Sequence, residues 1–431
     1  MDGYLIGFGK AVFIWGLALT LIPVLIWFER KGSAFIQDRV GPNRAAILGL
    51  RLGGFMHNIA DVIKLLMKEL MIPSHVTKWY FSLAPFLGIT VVLLAFAVIP
   101  WADNLRFGGW DIPMQATSLN AGILYILSIT SLNVYGIVLA GWSSNNKYSL
   151  LGGLRSTAQM VSYEIPLALS VVGIFMVFGS VQLNDIVRGQ GDLLWGFLPR
   201  WGVFVQPLGF VIFAAAAFAE TNRNPFDVPE GESEIVAGYH TEYSGVRFAL
   251  FYMGEYVAIV LSAAMLTTLY FGGWQVPYLP TEVLVANAST VLRVLLMVGL
   301  VVFFIGGVLS LRYDKRLVGT WPKGDLRNQE GKILAGIAFA LFAAHAIGLL
   351  LVWSVELPEW AGATVALVAQ LSAFAAKLLF FCWVFIWVRW TLPRFRYDQI
   401  MRLGWKSLIP LSFVNIFITG LILLLVDSVK S

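Results

Sequence analysis

Long apolar runs separated by short polar connections set the pattern of this chain, and a bilayer core needs about 20 apolar residues in a helix. Ten runs reach that length: 8–28, 80–100, 121–142, 156–178, 201–219, 248–271, 291–310, 333–353, 364–391 and 408–426. The stretch 57–71 differs. Asp61, Lys64 and Lys68 recur there at helical spacing, while Ile59, Val62, Ile63, Leu66 and Met67 fill the other side. That pattern predicts an amphipathic helix lying at the membrane interface. The predicted fold is therefore all-α, a polytopic membrane protein with about ten transmembrane helices and one interfacial amphipathic helix.

Composition agrees with this pattern. The 431 residues are 58% hydrophobic and 13% charged, whereas a soluble domain is about 45–50% apolar and about 25% charged. The first apolar run ends in Glu29-Arg30-Lys31 without a small-residue cleavage site, so it is expected to be a retained helix rather than a signal peptide. Alternate connections carry 22 and 5 Lys or Arg residues, and the basic set is assigned to the cytoplasm. Both termini are then expected on the periplasmic side of a bacterial inner membrane. The net charge of +5 follows from this topology and gives no reason to expect nucleic acid.

Several chemistries are narrowed by what the sequence holds. A single cysteine, Cys382, falls short of the roughly four thiolates an iron–sulfur cluster needs. His57, His75, His240 and His345 are scattered, and none forms a helical pair for metal binding. No glycine-rich phosphate loop follows a strand-like run. Any redox centre is expected in another chain, and no metal site is assigned.

Charge is concentrated on the predicted cytoplasmic side. Glu220, Asp227, Glu230, Glu232, Glu234 and Glu242 share one connection, and Glu255 lies inside the following span, about 10 Å deep. Glu29 closes the first span, Glu164 opens the fourth and Glu220 closes the fifth, all at the cytoplasmic end. Acids within a span usually face a protein interior or a water-filled cavity. These glutamates therefore predict either a proton-active chamber or a set of helix caps and a solvated loop. Lys377, near mid-membrane, is expected to pair with an acid, with Glu255 as the candidate. The Gly41-Pro42-Asn43 turn and the alternating Arg389, Trp390, Arg394, Phe395 and Arg396 can flank an amphiphile with a polar head or serve as basic anchors. No carboxylate occurs between Ile112 and Tyr163, so span three contributes no acid.

Five segments carry a resemblance: FERKGSAFIQDRVGPNR from Phe28, ADVIKLLMKE from Ala60, GWSSNNKYSLLGGLRSTAQMVSYEIP from Gly141, AETNRNPFDVPEGESEIVAGYHTEYSG from Ala219 and WVRWTLPRFRYDQIMRLGWK from Trp387. In this order they resemble the H-type membrane subunits of bacterial NADH:quinone oxidoreductases, a family homologous to subunit 1 of mitochondrial complex I. The resemblance covers 1–274 and 364–431 as a core of eight spans, and leaves 275–363 as an inserted two-helix hairpin. That hairpin is expected to be peripheral, a docking surface for an accessory subunit or lipid, with no catalytic role for Arg327, Lys332 or His345.

The resemblance implies a proton-translocating enzyme subunit that forms much of a quinone chamber and couples quinone reduction to proton pumping. It implies ubiquinone or menaquinone as substrate, FMN and iron–sulfur clusters only in partner subunits, and other membrane-arm and peripheral-arm subunits as partners. Carried onto this chain, the quinone-chamber residues are Glu29, Arg30, Asp61, Arg223, Asp227, Arg389, Arg394 and Arg396. The proton-coupling residues are Glu164, Glu220, Glu242, Glu255 and Lys377, and Glu230, Glu232 and Glu234 face the peripheral arm. Two alternatives stay open from sequence: the equivalent subunit of a membrane-bound hydrogenase or a ferredoxin- or F420-dependent complex, and a stand-alone secondary transporter. The second expects internal inverted repeats, and none is visible.

Overall fold

The computed structural model describes residues 2–107, 110–227, 236–317, 325–353 and 357–430. Its helices in chain order are α1 (Asp2–Ile36), α2 (Met56–Met67), α3 (Lys78–Ala95), α4 (Gly122–Ser131), α5 (Asn133–Ser143), α6 (Lys147–Phe178), α7 (Leu183–Gly189), α8 (Gly202–Val205) and α9 (Pro207–Glu220). They continue as α10 (Gly245–Tyr270), α11 (Thr281–Ala286), α12 (Ala288–Leu317), α13 (Glu330–Val352), α14 (Glu359–Thr391), α15 (Tyr397–Arg402) and α16 (Ile409–Lys430). Two short antiparallel hairpins, Leu105–Phe107 with Trp110–Ile112 and Leu193–Leu194 with Leu198–Pro199, complete the described elements. The polytopic helical fold expected from the apolar runs is present, with α2 shorter than the predicted 57–71.

Nine helical stretches among the described residues are long and apolar enough to cross a membrane, rather than ten. The exception is predicted span five. The chain leaves helical geometry at Gln206 (φ −132°, ψ 59°), and Pro207, which has no N–H to continue the ladder, starts α9 afresh. The 14 residues of α9 reach about 21 Å, short of a hydrocarbon core of about 30 Å. Beyond Glu220 the chain turns inward: Thr221, Asn222, Arg223 and Asp227 are all buried. The start of the acidic connection is thus an internal turn rather than a surface loop, while Glu230, Glu232 and Glu234 lie outside the described residues.

Two glutamates also sit differently from expectation. Because α1 continues to Ile36 and α6 begins at Lys147, Glu29 and Glu164 are helix-interior residues and cap nothing. The windows 8–28 and 156–178 registered only the apolar portions of those helices. Several polar residues that extend α6 toward Lys147, among them Ser149 and Ser156, are buried against protein, where polarity does not end a span.

Contacts segregate to two ends, as alternating spans require. At one end Lys10 donates to the Pro113 carbonyl (2.7 Å), and Asp103 pairs with Arg188 (2.7 Å) and accepts from Thr281 (2.8 Å). At the other, Glu29 meets Arg389, Arg51 meets Glu330 (2.7 Å) and Asp227 meets Arg394 (2.7 Å). The α10 helix is the centre of the bundle and the most enclosed of the long apolar helices described, whereas α12 and α13 are largely uncovered. Small residues let backbones approach where hydrocarbon surroundings give no hydrophobic drive between helices. A Cβ on Gly152 of α6 would lie 2.5 Å from the Gly238 Cα.

This packing has two measurable consequences. Gly152→Ala must displace the Gly238–His240 turn, since the obstructing atoms are backbone. We expect a loss of about 1–3 kcal/mol, seen as a lower thermal unfolding midpoint of the purified assembly, and an unchanged midpoint would contradict the close approach. Burial beside Tyr239, Phe248 and Phe251 pushes the His240 imidazole down to about 3. An unfolded histidine titrates near 6.5, so below that pH the unfolded chain gains a proton the folded chain refuses, and stability falls as pH drops from about 6.5 toward 3. His240→Phe should flatten the acid-side loss by roughly 1.4 kcal/mol per pH unit below that value. Paired melting curves of parent and variant at pH 7 and pH 5 measure the difference.

Candidate functional site: a buried charge cluster beside an apolar cavity

On α10, Tyr252, Glu255 and Tyr256 stand at i, i+3 and i+4 and share one helix face. That face meets Glu29 of α1, Arg223 of the internal turn and Arg389 near the end of α14. The Tyr256 hydroxyl donates to Glu29 Oε2 (2.7 Å), and Arg389 Nη1 donates to Glu29 Oε1. Arg223 lies 3.5 Å from Glu29 and 4.0 Å from Glu255, its guanidinium 4.3 Å from the centre of the Tyr256 ring. Arg223 and Glu29 are 4% and 8% exposed at their side chains. Charges so enclosed persist only when paired and hydrogen-bonded, and here two guanidinium groups balance two carboxylates.

The internal turn that presents Arg223 is held by Gln159 of α6. Its Nε2 lies 2.7 Å from the Ala219 carbonyl, 3.2 Å from Asn222 Oδ1 and 2.8 Å from the Phe226 carbonyl. From outside, the segment after α14 closes over the same turn. Phe395 N donates to the Pro225 carbonyl (3.0 Å), and Arg394 pairs with Asp227 (2.7 Å).

Three cavities adjoin the cluster. The largest, about 520 Å³, lies between α1, α2 and α10 and is walled mainly by Ile22, Ile26, Leu65 and Leu66, with Arg30, Asn58, Asp61, Lys64 and Tyr252 as polar members. Arg30 and Asp61 pair at 2.5 Å across it, each 39% exposed. Tyr252 also touches the charge cluster through the Tyr256 hydroxyl (3.1 Å), so one side chain belongs to both. On the far side of α10, a cavity of about 30 Å³ is lined by Glu255, Glu220 and Asn133. A third, about 20 Å³, is lined by Glu220, Asn133 and Thr130. Either small cavity has room for about one water. Glu164 is the charged neighbour of Glu220, with Ser131 nearby.

The expected residues thus divide. Glu29, Arg30, Asp61, Arg223, Glu255 and Arg389 come together around the cavity and the cluster, with Asp227 and Arg394 beside them. Glu220 and Glu164 continue the polar line. Glu242 stands apart, bonded by Asn146 (2.7 Å) on the turn between α5 and α6. Arg396, 74% exposed, pairs with Asp398 and faces away. The expected Lys377–Glu255 pair is not formed. Lys377 donates to the carbonyls of Gly273 (3.0 Å) and Gln275 (2.7 Å) beyond the far end of α10. Glu255 is roughly 22 Å back along that helix, so the lysine head is satisfied by carbonyls at the opposite end.

Sequence reasoning missed Tyr252, Tyr256 and Gln159. The first two carried a usable signal, since tyrosines flanking an intramembrane glutamate at helical spacing must share its environment. Gln159 gave none, because its partners are backbone carbonyls far along the chain.

The family profile described as NADH dehydrogenase matches residues 9–323 and 333–420. The chain is 42% identical over 413 residues to the H 1 subunit of the NADH-quinone oxidoreductase of Solibacter usitatus, covering 95% of each chain. It is 38% identical to the H 1 subunit of the Geobacter metallireducens enzyme, covering 96% of each, and 38% identical to NADH-quinone oxidoreductase subunit 8 of Rhodothermus marinus, covering 94% and 93%. With helices able to span a bilayer and matches along nearly its whole length, the chain belongs to the NADH dehydrogenase family, as a multi-pass membrane subunit of an NADH-quinone oxidoreductase complex.

Proposed function

We propose that the cavity between α1, α2 and α10 admits the quinone and that the adjoining charges couple its reduction to proton movement. The observation that carries this is continuity. Tyr252 lines the cavity and touches the Arg223–Glu29–Glu255 cluster, Glu255 lines the first small cavity with Glu220, and Glu220 lines the second with Thr130. A volume of about 520 Å³ falls in the range of small-molecule sites, roughly 300–1,000 Å³, and its mixture of apolar wall and few polar groups suits an isoprenoid quinone.

Reduction of a quinone to the quinol consumes two electrons and two protons. The electrons come from FMN and iron–sulfur clusters in partner subunits, and the protein here supplies position, electrostatics and proton-active groups. Negative charge appearing in the cavity acts first on the neighbouring cations. A shift of Arg223 or Arg389 toward it weakens their hold on Glu29 and Glu255. A carboxylate losing a cationic partner gains proton affinity, and Glu220 and Glu164 extend the response along the small polar cavities. The described part of the acidic connection leads from this cluster toward Glu230, Glu232 and Glu234, which we assign to contact with the peripheral arm.

Glu220→Gln and Glu255→Gln should assemble yet lower quinone-linked turnover or proton pumping by on the order of tenfold or more. Proton uptake and NADH:quinone activity in reconstituted vesicles are the measurements, and parental rates in both variants would end the coupling role. The substrate assignment is checked by purifying the tagged assembly and assaying NADH-dependent reduction of a short-chain quinone. A large assembly oxidising another donor instead would favour the hydrogenase- or ferredoxin-linked alternative. We also place both termini on the periplasmic side. A cysteine at Ser428 should react with an impermeant maleimide in spheroplasts without permeabilisation, and reaction only after lysis would invert the topology.

A further inference from the structure

The hairpin expected to be peripheral is tied to the interior at its cytoplasmic end. Glu330, the first residue of α13, is wholly buried together with Arg51. Its Oε2 accepts from Arg51 Nε (2.7 Å), and its Oε1 accepts from the backbone N–H groups of Arg51 (3.1 Å) and Gly53 (3.3 Å). Those amides open the turn Leu52–Gly54, Arg51 just before it and Gly53 within it, and the turn runs through Phe55 into α2. A helix start leaves backbone N–H groups without intrahelical partners, and here a side chain about 280 positions along the chain supplies the acceptor.

The turn has little freedom to find another arrangement. Leu52, Gly53 and Gly54 all have positive φ (47°, 61° and 97°), and a Cβ on Gly54 would lie 2.0 Å from the Pro42 carbonyl oxygen. The Gly53 carbonyl accepts from Trp27 Nε1 (3.1 Å), which joins the turn to α1. Seven residues after Arg51, Asn58 binds the Pro23 carbonyl (2.6 Å), and Asp61 follows with its bond to Arg30 (2.5 Å). The turn therefore determines where α2 begins and how Asp61, Leu65 and Leu66 face the large cavity.

We propose that Glu330, paired with Arg51, is a positioning residue for the quinone chamber, holding the turn that launches α2 and so the wall that α2 gives to the cavity. The inference rests on the quinone assignment made above. It gives the α12–α13 hairpin a task besides contact with lipid or accessory subunits: its cytoplasmic end braces the mouth of the chamber.

The test separates the amide-holding oxygen from the buried charge. Replacing both partners by apolar groups, Arg51→Met with Glu330→Met, removes one charge of each sign, so the net charge beside the neighbouring Lys31 is unchanged, and takes the acceptor from the two amides. In the intact complex we expect faster hydrogen exchange across 51–67 and a rise of about tenfold in KM for the quinone, with kcat nearly unchanged. Arg51→Met with Glu330→Gln restores a carbonyl acceptor without charge, and should return both readouts toward the parent. Parental exchange and KM in the double-Met variant would overturn the proposal. Faster exchange with unchanged KM would keep α2 positioning and instead remove the quinone from this cavity. Failure of both double variants to assemble would assign the pair to folding of the whole protein, which also overturns it.

Discussion

Non-helical backbone at membrane depth is tolerated only where protein surrounds it and satisfies its polar groups, and the turn 221–227 imposes that condition on this molecule. The turn follows directly on α9 and lies inside the bundle, with Arg223 against Glu29 of α1 and Glu255 of α10. Gln159 answers its carbonyls, Phe395 binds the carbonyl of Pro225, and Phe226 packs between the rings of Tyr163 and Phe395. Helices α6, α10 and α14 must close around it. That enclosure takes Arg223 out of water, and a buried guanidinium requires carboxylates. Glu29 and Glu255 therefore belong to the same constraint as the turn itself.

The charges so assembled are unevenly partnered. Glu29 receives Arg389, Tyr256 and Arg223 at once, whereas Glu220 and Glu164 face each other, with Thr130 and Ser131 as hydroxyl neighbours. Span three has no acid, and its contribution is neutral: Thr130, Ser131 and Asn133 stand where α4 gives way to α5. Two environments follow. One pairs each carboxylate with a guanidinium, and the other sets two carboxylates near one another with hydroxyl groups beside them. Glu255, in contact with Arg223 on one side and facing the small cavity with Glu220 on the other, joins the two.

Much of this fold was legible in the sequence because bilayer thickness imposes a length on apolar runs. Among the described residues, nine helices long and apolar enough to span, together with the amphipathic α2, appear where the pattern put them. The tenth run is present as two shorter helices, α8 and α9, because hydropathy ignores backbone geometry: Gln206-Pro207 breaks the helix while leaving the stretch apolar. Depth was misjudged for Glu29 and Glu164 for a related reason, since windows end at polar residues even when those residues are buried in protein. Lys377 shows the same limit. Its position within the run was right, but a lysine can be satisfied by carbonyls at a loop as well as by an acid, and spacing along one helix does not reveal which loop lies opposite. The acids Glu29, Glu220 and Glu255 were legible because charge in a span is costly. Gln159 and the Arg51–Glu330 pair were not, because neither carries a local pattern and both depend on contacts made by folding.

Cavity size separates what can move on the two sides of α10. The α1–α2–α10 cavity, at about 520 Å³, can take an amphiphile, whereas the cavities beside Glu220, at about 30 and 20 Å³, hold water at most. On the proposed reading, quinone stays on one side and only protons pass on the other. The helix itself makes this division, because Tyr252 and Glu255 are three residues apart, close enough to share a charged neighbour yet turned toward different cavities. Arg223 contacts both, through the Tyr252 ring at 5.9 Å and Glu255 at 4.0 Å. On the same proposed reading, a change of charge in the large cavity reaches the carboxylates through one guanidinium, without requiring the substrate to leave its side of the helix.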